Sequence, residues 1–376
     1  MKQNIVLGIN NLPDILEEFN GKKMFLVVDS SFPFLNIKER IEEHKIQKVV
    51  FSDFTPNPVY EDVCKGIDLL KAEKCDIILA VGGGSAIDVA KCIKLAVLAK
   101  EGNDAIIPPL VNTRIQLDGS LIPFIAIPTT AGTGSESTHN AVMYYENAKQ
   151  TVTNDGVLPE YAILEPSVLK TLPLYQKKCT MMDALCQGIE SWWSVNSTEE
   201  SYGYSRKTIE LIMQNWRAYI FENDSDAAAL IMMAANFSGR AINITQTTAA
   251  HAMSYKITSL YGFPHGHAVA ACLPTIWTYM LNNMERCIDL RGQTYLIAVF
   301  NQIANAMGVE TSIEAIELFK QMMAEMDLKQ PIAEYREKEL AMLSSSVNPV
   351  RLKNNPIELN IEATREIYSK ICVGHI

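Results

Sequence analysis

The chain has 376 residues, of which 48% are hydrophobic and 20% are charged, a composition typical of a soluble globular protein. Because this length exceeds the usual size of one hydrophobic core, two domains are expected. The formal net charge of −10 disfavours a general nucleic-acid-binding function.

The first part of the chain alternates predicted strands with predicted helices. Short buried strands are predicted at 23–29, 48–52, 76–81 and 123–128, and helical periods at 35–44, 59–74 and 85–100. This alternation is typical of a mostly parallel sheet with helices on both faces. We therefore expect an α/β domain in this part of the chain.

A glycine turn, Gly82-Gly83-Gly84-Ser85, lies between the third predicted strand and the helix that follows it. Glycine lets backbone N–H groups approach a diphosphate, and a helix N-terminus favours its negative charge. The alternative is a tight turn in which Ser85 is the helix N-cap. Three consecutive glycines exceed what a turn requires, so we favour phosphate binding.

A second candidate nucleotide-binding loop follows the fourth predicted strand. Residues 128–140 are rich in small and hydroxylated side chains, including Thr129 and Thr130. Ligands of open α/β sheets bind beyond the carboxyl ends of the strands, which is where this loop begins. The alternative is a Ser/Thr-rich loop that only caps the next segment.

Asp29 ends the first predicted strand. A carboxylate there can accept a hydrogen bond from a ribose hydroxyl and repel a 2′-phosphate, which favours NAD over NADP. It is equally suited to capping the turn that begins at Ser30 and Ser31. Both interpretations stay open.

From about residue 172 the strand signal fades and helical patterns dominate. A predicted helix at 180–193 carries Asp183 and Gln187 at positions i and i+4, so both side chains project from one face. Apolar neighbours surround Asp183, where an unpaired carboxylate is costly and a bound cation would remove that cost. The alternative is an ion pair with Lys or Arg. Further helices are predicted near 311–326 and 361–372.

Three of the six histidines, His251, His265 and His267, lie within seventeen residues. His251 opens a predicted helix that a Tyr-Gly-Phe-Pro break ends, and His265 enters the next apolar run. Two histidines on helices joined by a short turn can converge on one metal ion. A single helical histidine is usually a core or surface residue, but this clustering favours a metal or catalytic site.

Four motifs occur in order along the chain, at 82–88, 128–136, 183–185 and 264–266. Together they resemble the iron-containing (group III) alcohol dehydrogenases, over nearly the whole chain. The resemblance implies an α/β N-terminal dinucleotide-binding domain (1–171) and an all-α C-terminal metal- and substrate-binding domain (172–376), an architecture shared with dehydroquinate synthase. It implies NAD(H) or NADP(H) and one divalent metal ion, Fe²⁺ or Zn²⁺. The expected cofactor-binding residues are Asp29, Gly83, Gly84, Ser85, Asp88, Thr129, Thr130, Thr133 and Ser135.

The resemblance carries the metal-binding role to Asp183, His251 and His265. The fourth position departs from the family, which usually has His where this chain has Gln187. A Gln carbonyl oxygen can complete the site, although losing an imidazole disfavours Fe²⁺ or Zn²⁺ relative to harder ions. Many members also carry a His near the nicotinamide where this chain has Tyr255. We expect Tyr255 or His267 to take over the proton transfer.

Within the family, segments 183–201 and 241–262 resemble phosphonoacetaldehyde reductases, which form 2-hydroxyethylphosphonate. A phosphonate needs cations and hydrogen-bond donors, and several lie near the predicted metal helix in sequence. The alternative is that these charges are ordinary solvated or paired side chains. The expected substrate-binding residues are Asn140, Arg240, Asn243 and Lys256.

The expected partner is a small-molecule aldehyde or alcohol, with a phosphonate among the candidates, and neither nucleic acid nor a membrane is expected. The chain begins without the apolar core of a signal peptide, and its eight cysteines lack Cys-x-x-Cys spacing, which favours reduced thiols in the cytoplasm. The family resemblance implies a homodimer. Three alternatives remain: a dehydrogenase of an uncharged alcohol or diol, a lyase like dehydroquinate synthase, and a non-catalytic dinucleotide-binding protein with a decayed metal site.

Overall fold

The computed structural model describes residues 3–107, 122–146, 148–334 and 336–374. The chain divides into two compact units, Met1–Leu172 and Pro173–Ile376. The first unit is an α/β unit and the second is helical, so the expected fold class is confirmed.

A six-stranded parallel sheet forms the centre of the first unit. Its strands, in the spatial order β1-β8-β5-β4-β2-β3, are β1 Asn4–Leu7, β8 Tyr161–Leu164, β5 Phe124–Pro128, β4 Ile77–Gly82, β2 Lys23–Val28 and β3 Gln47–Phe51. β4 and β5 are buried along their whole length, which explains their uninterrupted apolar sequences. The four predicted strands are therefore confirmed.

Besides short 3-10 turns, the described part of the first unit also contains four α-helices and an antiparallel hairpin. These are α1 Leu12–Glu17, α2 Lys38–Glu42, α3 Tyr60–Ala72, α4 Gly84–Leu98, β6 Asn140–Tyr145 and β7 Ala148–Thr153. α3 buries Val63, Ile67 and Leu70, which share one face at helical spacing. The amphipathic stretch predicted at 35–44 is helical over five residues only, and β1, β8 and the hairpin were not predicted.

The second unit is built from ten helices in the described part of the chain. They are α5 Leu174–Trp193, α6 Glu199–Arg217, α7 Ser225–Thr245, α8 Ala249–Tyr261, α9 His265–Asn282, α10 Gln293–Ala306, α11 Ser312–Glu325, α12 Arg336–Ser346, α13 Pro349–Leu352 and α14 Ile361–Ile371. A two-residue strand pair, β9 Ile332–Ala333 and β10 Val373–Gly374, accompanies them. The helices predicted near 180–193, 311–326 and 361–372 are α5, α11 and α14.

One described helix, α7, is long and apolar enough by length and composition to cross a membrane. It packs against α5 and α6 and is buried over 56% of its most apolar window. Core helices of globular proteins have the same character, because they are apolar on most of their faces.

Candidate cofactor and metal sites

The predicted cofactor-binding residues of the first unit meet at one edge of the sheet. In the parallel register Val28 pairs with Val81, and Gly82 pairs with Pro128. Asp29, Gly83 and Thr129 each follow one of these strands directly. The strand order reverses between β2 and β4, and ligands of open α/β sheets bind beyond the carboxyl ends of the strands at such a reversal.

Asp29 holds the glycine turn in place. One carboxylate oxygen accepts the Gly83 N–H at 2.8 Å, and the other accepts the Ser31 N–H at 2.9 Å and its hydroxyl at 2.5 Å. A Cβ on Gly82 would lie 2.5 Å from the Asp29 carboxylate, so this close approach requires glycine. The capping interpretation of Asp29 is confirmed, while ribose binding stays a prediction.

Helix α4 begins at Gly84 with Gly83 as its N-cap, and no side chain caps it among the residues that the structure describes. Ser85 is the second helical residue, and its hydroxyl accepts the Asn57 N–H at 3.4 Å. The alternative in which Ser85 is the N-cap is therefore wrong. A helix N-terminus without a side-chain cap is a suitable anion-binding site, because its N–H groups and dipole favour negative charge.

Thr130 and Thr133 pack against this turn. A Cβ on Gly83 would lie 3.6 Å from the Thr130 side chain, and one on Gly84 would lie 3.0 Å from that of Thr133. The structure therefore places both threonines beside the glycine turn, as the predicted cofactor site requires.

The side chains of Asp88 and Ser135 form hydrogen bonds within the first unit. The Ser135 hydroxyl donates to Asp88 at 2.6 Å, and the Val142 N–H donates to the other carboxylate oxygen at 3.0 Å. Ser135 is buried, and burial raises the pKa of Asp88. Direct contact of these two side chains with a cofactor is not supported, because their polar atoms fix the loop before β6.

A fully buried lysine completes this network. Lys91 Nζ donates to the Ser135 carbonyl at 2.6 Å, to the Thr138 hydroxyl at 2.9 Å and to the Asn140 carbonyl at 2.7 Å. Burial lowers the pKa of Lys91 to about 8, although the nearby carboxylate of Asp88 opposes this shift. This role could not be predicted from the sequence, because the carbonyl and hydroxyl groups that Lys91 binds lie more than 40 residues further along the chain.

Three predicted metal ligands converge in the helical unit. Asp183 on α5, His251 on α8 and His265 on α9 each offer one ligand atom, and these atoms lie within 4.8 Å of one another. The Asp183 carboxylate is 3.2 Å from His251 Nε2 and 4.0 Å from His265 Nε2. Asp183 and His251 are buried, but the His265 side chain is 36% exposed. We call these three residues the Asp–His–His cluster.

A glycine allows α9 to begin directly against α5. A Cβ on Gly266 would overlap the backbone carbonyl of Cys179 and lie 2.8 Å from the Cβ of Asp183. Gly262 ends α8 at a φ of 71°, and Pro264 precedes the first residue of α9. His265 is therefore carried to Asp183 by a short turn and a close helix contact.

Glu190 orients His251, and sequence reasoning missed it. One of its carboxylate oxygens accepts the N–H groups of Thr248 at 3.1 Å and Ala250 at 2.9 Å, and the Thr248 hydroxyl at 2.8 Å. The other oxygen accepts His251 Nδ1–H, which leaves Nε2 as the ring nitrogen that faces Asp183 and that a metal ion would bind after displacing its proton. Glu190 follows Asp183 by seven residues, a helical spacing that places both on one face and could have identified it.

The charge of His251 depends on its surroundings. Burial lowers the pKa of His251, but the carboxylates of Glu190 and Asp183 more than offset this and raise it to about 10. Such a concentration of negative charge around a buried imidazole is suited to holding a cation.

Gln187 shares this face of α5 but is paired with α7. Its amide Oε1 lies 2.8 Å from the Ser238 hydroxyl, and the side chain is buried. The Ser238 hydroxyl is also 2.8 Å from the Ala235 carbonyl. A hydroxyl has a single proton and cannot donate to both oxygens. If the side-chain amide of Gln187 is flipped, its NH₂ group donates to the Ser238 hydroxyl, and its oxygen takes the position that the NH₂ group had.

The two candidates for proton transfer differ in position. The Tyr255 ring stacks on His265, with centroids 5.7 Å and planes 5° apart. His267 Nε2 lies 2.8 Å from the Lys329 carbonyl, and Nδ1 lies 2.8 Å from the Tyr175 hydroxyl. Nε2 must donate to the carbonyl, so Nδ1 accepts, and burial lowers the pKa of His267. A relay role for His267 is not supported, since both ring nitrogens are bonded within the protein.

The phosphonate-binding role of the four predicted residues stays a prediction, and the structure shows where some of them lie. Arg240 lies over the Tyr204 ring at 5.6 Å, about 200° around α7 from Ser238 and hence away from Gln187. Asn243, five residues after Ser238, lies about 140° from it, and Lys256 lies about 100° from Tyr255. Sequence proximity to the metal helix is therefore a poor guide for these residues. Asn140, in the first unit, accepts the Thr153 hydroxyl at 2.7 Å.

The α/β unit with its glycine turn and the helical unit with its Asp–His–His cluster define a class, the metal-using alcohol dehydrogenases of two-domain architecture. Family models described as "Iron-containing alcohol dehydrogenase" and "Fe-containing alcohol dehydrogenase family, C-terminal" match residues 4–166 and 178–372. The chain belongs to the iron-containing alcohol dehydrogenase family and is an enzyme of that family.

Two curated relatives differ in extent and in named substrate. Long-chain-alcohol dehydrogenase 1 of Geobacillus thermodenitrificans is 30% identical over 98% of this chain and 94% of its own. Phosphonoacetaldehyde reductase of Streptomyces viridochromogenes is 33% identical over 64% of this chain and 62% of its own. These relatives share the family but not a single substrate.

Solved structures agree in fold. A sulfoacetaldehyde reductase from Bifidobacterium kashiwanohense, in complex with NAD⁺, is similar with a TM-score of 0.86 and 23% identity, over 98% of this chain and 96% of its own. An iron-containing alcohol dehydrogenase from Thermococcus thioreducens has a TM-score of 0.87 and 22% identity, over 99% and 98% of the two chains. At these identities the similarity concerns the fold.

Proposed function

We propose that the protein reduces a small acidic aldehyde to its alcohol with NADH or NADPH and one divalent metal ion. The best substrate candidate is phosphonoacetaldehyde, which would give 2-hydroxyethylphosphonate. The observation that carries the proposal is the Asp–His–His cluster, in which two buried donors meet a half-exposed third. Two similar proteins, one by sequence and one by fold, are named for aldehydes with a phosphonate or sulfonate group.

The cluster fits a divalent ion. A carboxylate and two imidazoles are donors that Fe²⁺ and Zn²⁺ both accept, and the donor atoms are already grouped within 4.8 Å. Glu190 fixes the tautomer in which His251 Nε2 is a ligand, as outer carboxylates commonly do. With its amide turned over, Gln187 would offer a carbonyl oxygen as a fourth donor.

Each unit contributes a separate part of the mechanism. A divalent ion bound by Asp183, His251 and His265 would supply Lewis acidity to polarise an aldehyde carbonyl. The nicotinamide cofactor would supply the hydride. Glu190 keeps the proton of His251 on Nδ1. The Tyr255 ring stacks on His265, and we propose that its hydroxyl donates the proton that the new alkoxide requires.

The first unit would bind the dinucleotide at the edge where β2 and β4 end. The N–H groups of Gly84 and Ser85 at the start of α4 would bind the diphosphate, with Thr129, Thr130 and Thr133 beside them. A carboxylate has about four lone-pair sites, so Asp29 can accept a ribose hydroxyl while it holds Gly83. Its negative charge would repel a 2′-phosphate, and we propose NAD(H) over NADP(H) on this ground.

A second candidate is the oxidation of an uncharged alcohol or diol. The relatives that cover nearly all of this chain include a long-chain-alcohol dehydrogenase and a 1-propanol dehydrogenase of Salmonella typhimurium. The same cluster and the same cofactor edge would serve this reaction, and only the substrate would differ.

We also propose a cytoplasmic enzyme. All eight cysteines lie in the described ranges, and none of them forms a disulfide there. Thiols are maintained in a reducing compartment. A homodimer is a further proposal, which sedimentation analysis would test.

The test is a substrate panel on protein reconstituted with Fe²⁺, Zn²⁺ or Mn²⁺. NADH and NADPH oxidation would be followed with phosphonoacetaldehyde, propanal, lactaldehyde and succinic semialdehyde. A clear preference for phosphonoacetaldehyde with NADH is the expected result. Turnover of uncharged aldehydes alone would favour the second candidate, and the absence of aldehyde turnover with all three metals would refute the proposal.

A further inference from the structure

A cation that the sequence did not single out lies beside the Asp–His–His cluster. Arg351 in α13 donates from Nη1 to the Tyr255 hydroxyl at 3.1 Å, and its guanidinium carbon is 5.2 Å from the Tyr255 ring centroid. Tyr255 in turn stacks on His265 with centroids 5.7 Å apart. The two separations together place the guanidinium within about 11 Å of the His265 ring.

The segment that carries Arg351 is anchored next to the same helix as His251. The Asn348 side chain caps α13 by accepting the Val350 N–H at 2.9 Å. Asn354 donates to the Gln246 side chain and to the Thr247 carbonyl, both at 3.2 Å, in the turn that leads into α8. Asn354 therefore holds the end of this segment against the turn before α8, while the Asn348 cap stabilises the short helix itself.

Arg351 differs in its contacts from Arg240 and Lys256, the two cations that were predicted to bind the substrate. Arg240 packs on Tyr204 of α6, and Lys256 projects from another side of α8 than Tyr255. Arg351 instead contacts the Tyr255 ring, which stacks on His265, the part-exposed member of the cluster. A guanidinium has five donors in a planar fork, so it can hold a tyrosine hydroxyl and a tetrahedral oxyanion together.

We propose that Arg351 binds the phosphonate or sulfonate group of an acidic aldehyde substrate and thereby sets the preference for acidic over uncharged aldehydes. This inference rests on the proposed function, since it concerns the substrate of the same site. It assigns the specificity to α13 instead of the helices that carry the metal ligands.

Steady-state kinetics of the metal-loaded enzyme test the inference. Arg351→Gln should lower kcat/KM for phosphonoacetaldehyde by about 10- to 100-fold, mainly through KM, because one charge-assisted contact is lost. Its kcat/KM for propanal should fall by a smaller factor, because an uncharged aldehyde loses only the effect of the hydrogen bond from Arg351 to the Tyr255 hydroxyl. The ratio of the two kcat/KM values therefore measures the oxyanion contact. Arg351→Lys keeps the charge but not the fork and should lose less. The same measurement with sulfoacetaldehyde shows whether Arg351 recognises a sulfonate as well as a phosphonate.

The matched control is Arg217→Gln, which removes an exposed arginine paired with Glu325 on the same unit. This variant should leave kcat/KM unchanged for both phosphonoacetaldehyde and propanal. A readout independent of turnover is calorimetric binding of 2-hydroxyethylphosphonate to the metal-loaded enzyme. Its Kd should rise in Arg351→Gln by a factor similar to that in KM, while the binding of propan-1-ol stays unchanged.

The outcomes separate this inference from the proposed function. Equal losses on phosphonoacetaldehyde and propanal, or an unchanged Kd for 2-hydroxyethylphosphonate, would overturn the role of Arg351 and leave the reductase intact. A wild type that reduces propanal but neither acidic aldehyde would overturn the acidic substrate and Arg351 together. A wild type that reduces no aldehyde would overturn the proposed function, and this inference with it.

Discussion

Glu190→Gln should weaken metal binding without unfolding the helical unit. In the wild type, one carboxylate oxygen accepts hydrogen bonds from Thr248 and Ala250 at the start of α8, and the other accepts His251 Nδ1–H. The single oxygen of Gln must stay with the cluster of donors at the start of α8. Its NH₂ group then faces His251 Nδ1, which has to become the acceptor.

The proton of His251 would consequently move to Nε2, the atom that faces Asp183 at 3.2 Å. A protonated nitrogen is not a metal ligand, so the favoured tautomer no longer binds. Loss of such an outer carboxylate typically costs about 10- to 100-fold in metal affinity, or about 1.4 to 2.7 kcal/mol.

The assay is competition between the protein and a chelator of known affinity for Zn²⁺ or Co²⁺, at constant pH. Thermal unfolding in the presence of chelator reports whether the fold is retained. Glu325→Gln, which alters an exposed glutamate paired with Arg217, is the matched control. A metal affinity of Glu190→Gln equal to that of wild type would refute the reasoning.

Three further predictions concern other parts of the structure. His265→Ala should abolish aldehyde reduction but leave NADH binding nearly intact in a fluorescence titration, and full activity would remove the metal from the mechanism. Lys91→Met should lower the free energy of unfolding by about 1 to 3 kcal/mol in urea, because two backbone carbonyls lose their buried donor and the nearby Asp88 carboxylate loses a cation. Adding Asp88→Asn should recover part of that loss, and strict additivity of the two changes would contradict the coupling. Gly266→Ala should lower both the thermal stability and the metal occupancy, because its Cβ would overlap the backbone of Cys179. A variant that binds metal as wild type does would show that α9 can shift freely.

Much of the first unit was predictable because parallel strands buried on both faces have continuous apolar sequences. β2, β4 and β5 show this pattern, and the glycine turn follows β4 directly. β1 was missed because it is a four-residue edge strand with exposed ends, and its apolar run, Ile5-Val6-Leu7, is too short to indicate a strand by itself. The spatial order of the strands in the sheet could not be predicted either, because it depends on which strands pair.

The cluster was predictable in part because histidines are few and three of them lie close together in the chain. Its supporting residues were not. The spacing of seven residues from Asp183 could have placed Glu190 on the metal-binding face of α5, but only the fold shows that the start of α8 donates to its carboxylate. Arg351 is about 100 residues from His251 in sequence, so nothing local connects them. Conversely, Arg240 and Lys256 were chosen by sequence proximity, which helical geometry does not respect.

The most direct test of the central claim is an anaerobic titration of metal-free protein with Fe²⁺, with aldehyde-dependent NADH oxidation measured at each step. One ion held by Asp183, His251 and His265 predicts a linear rise in rate with a break at about one Fe²⁺ per chain. The same titration of His265→Ala should give no rise. Activity in the metal-free protein, or an equal rise in His265→Ala, would contradict the account.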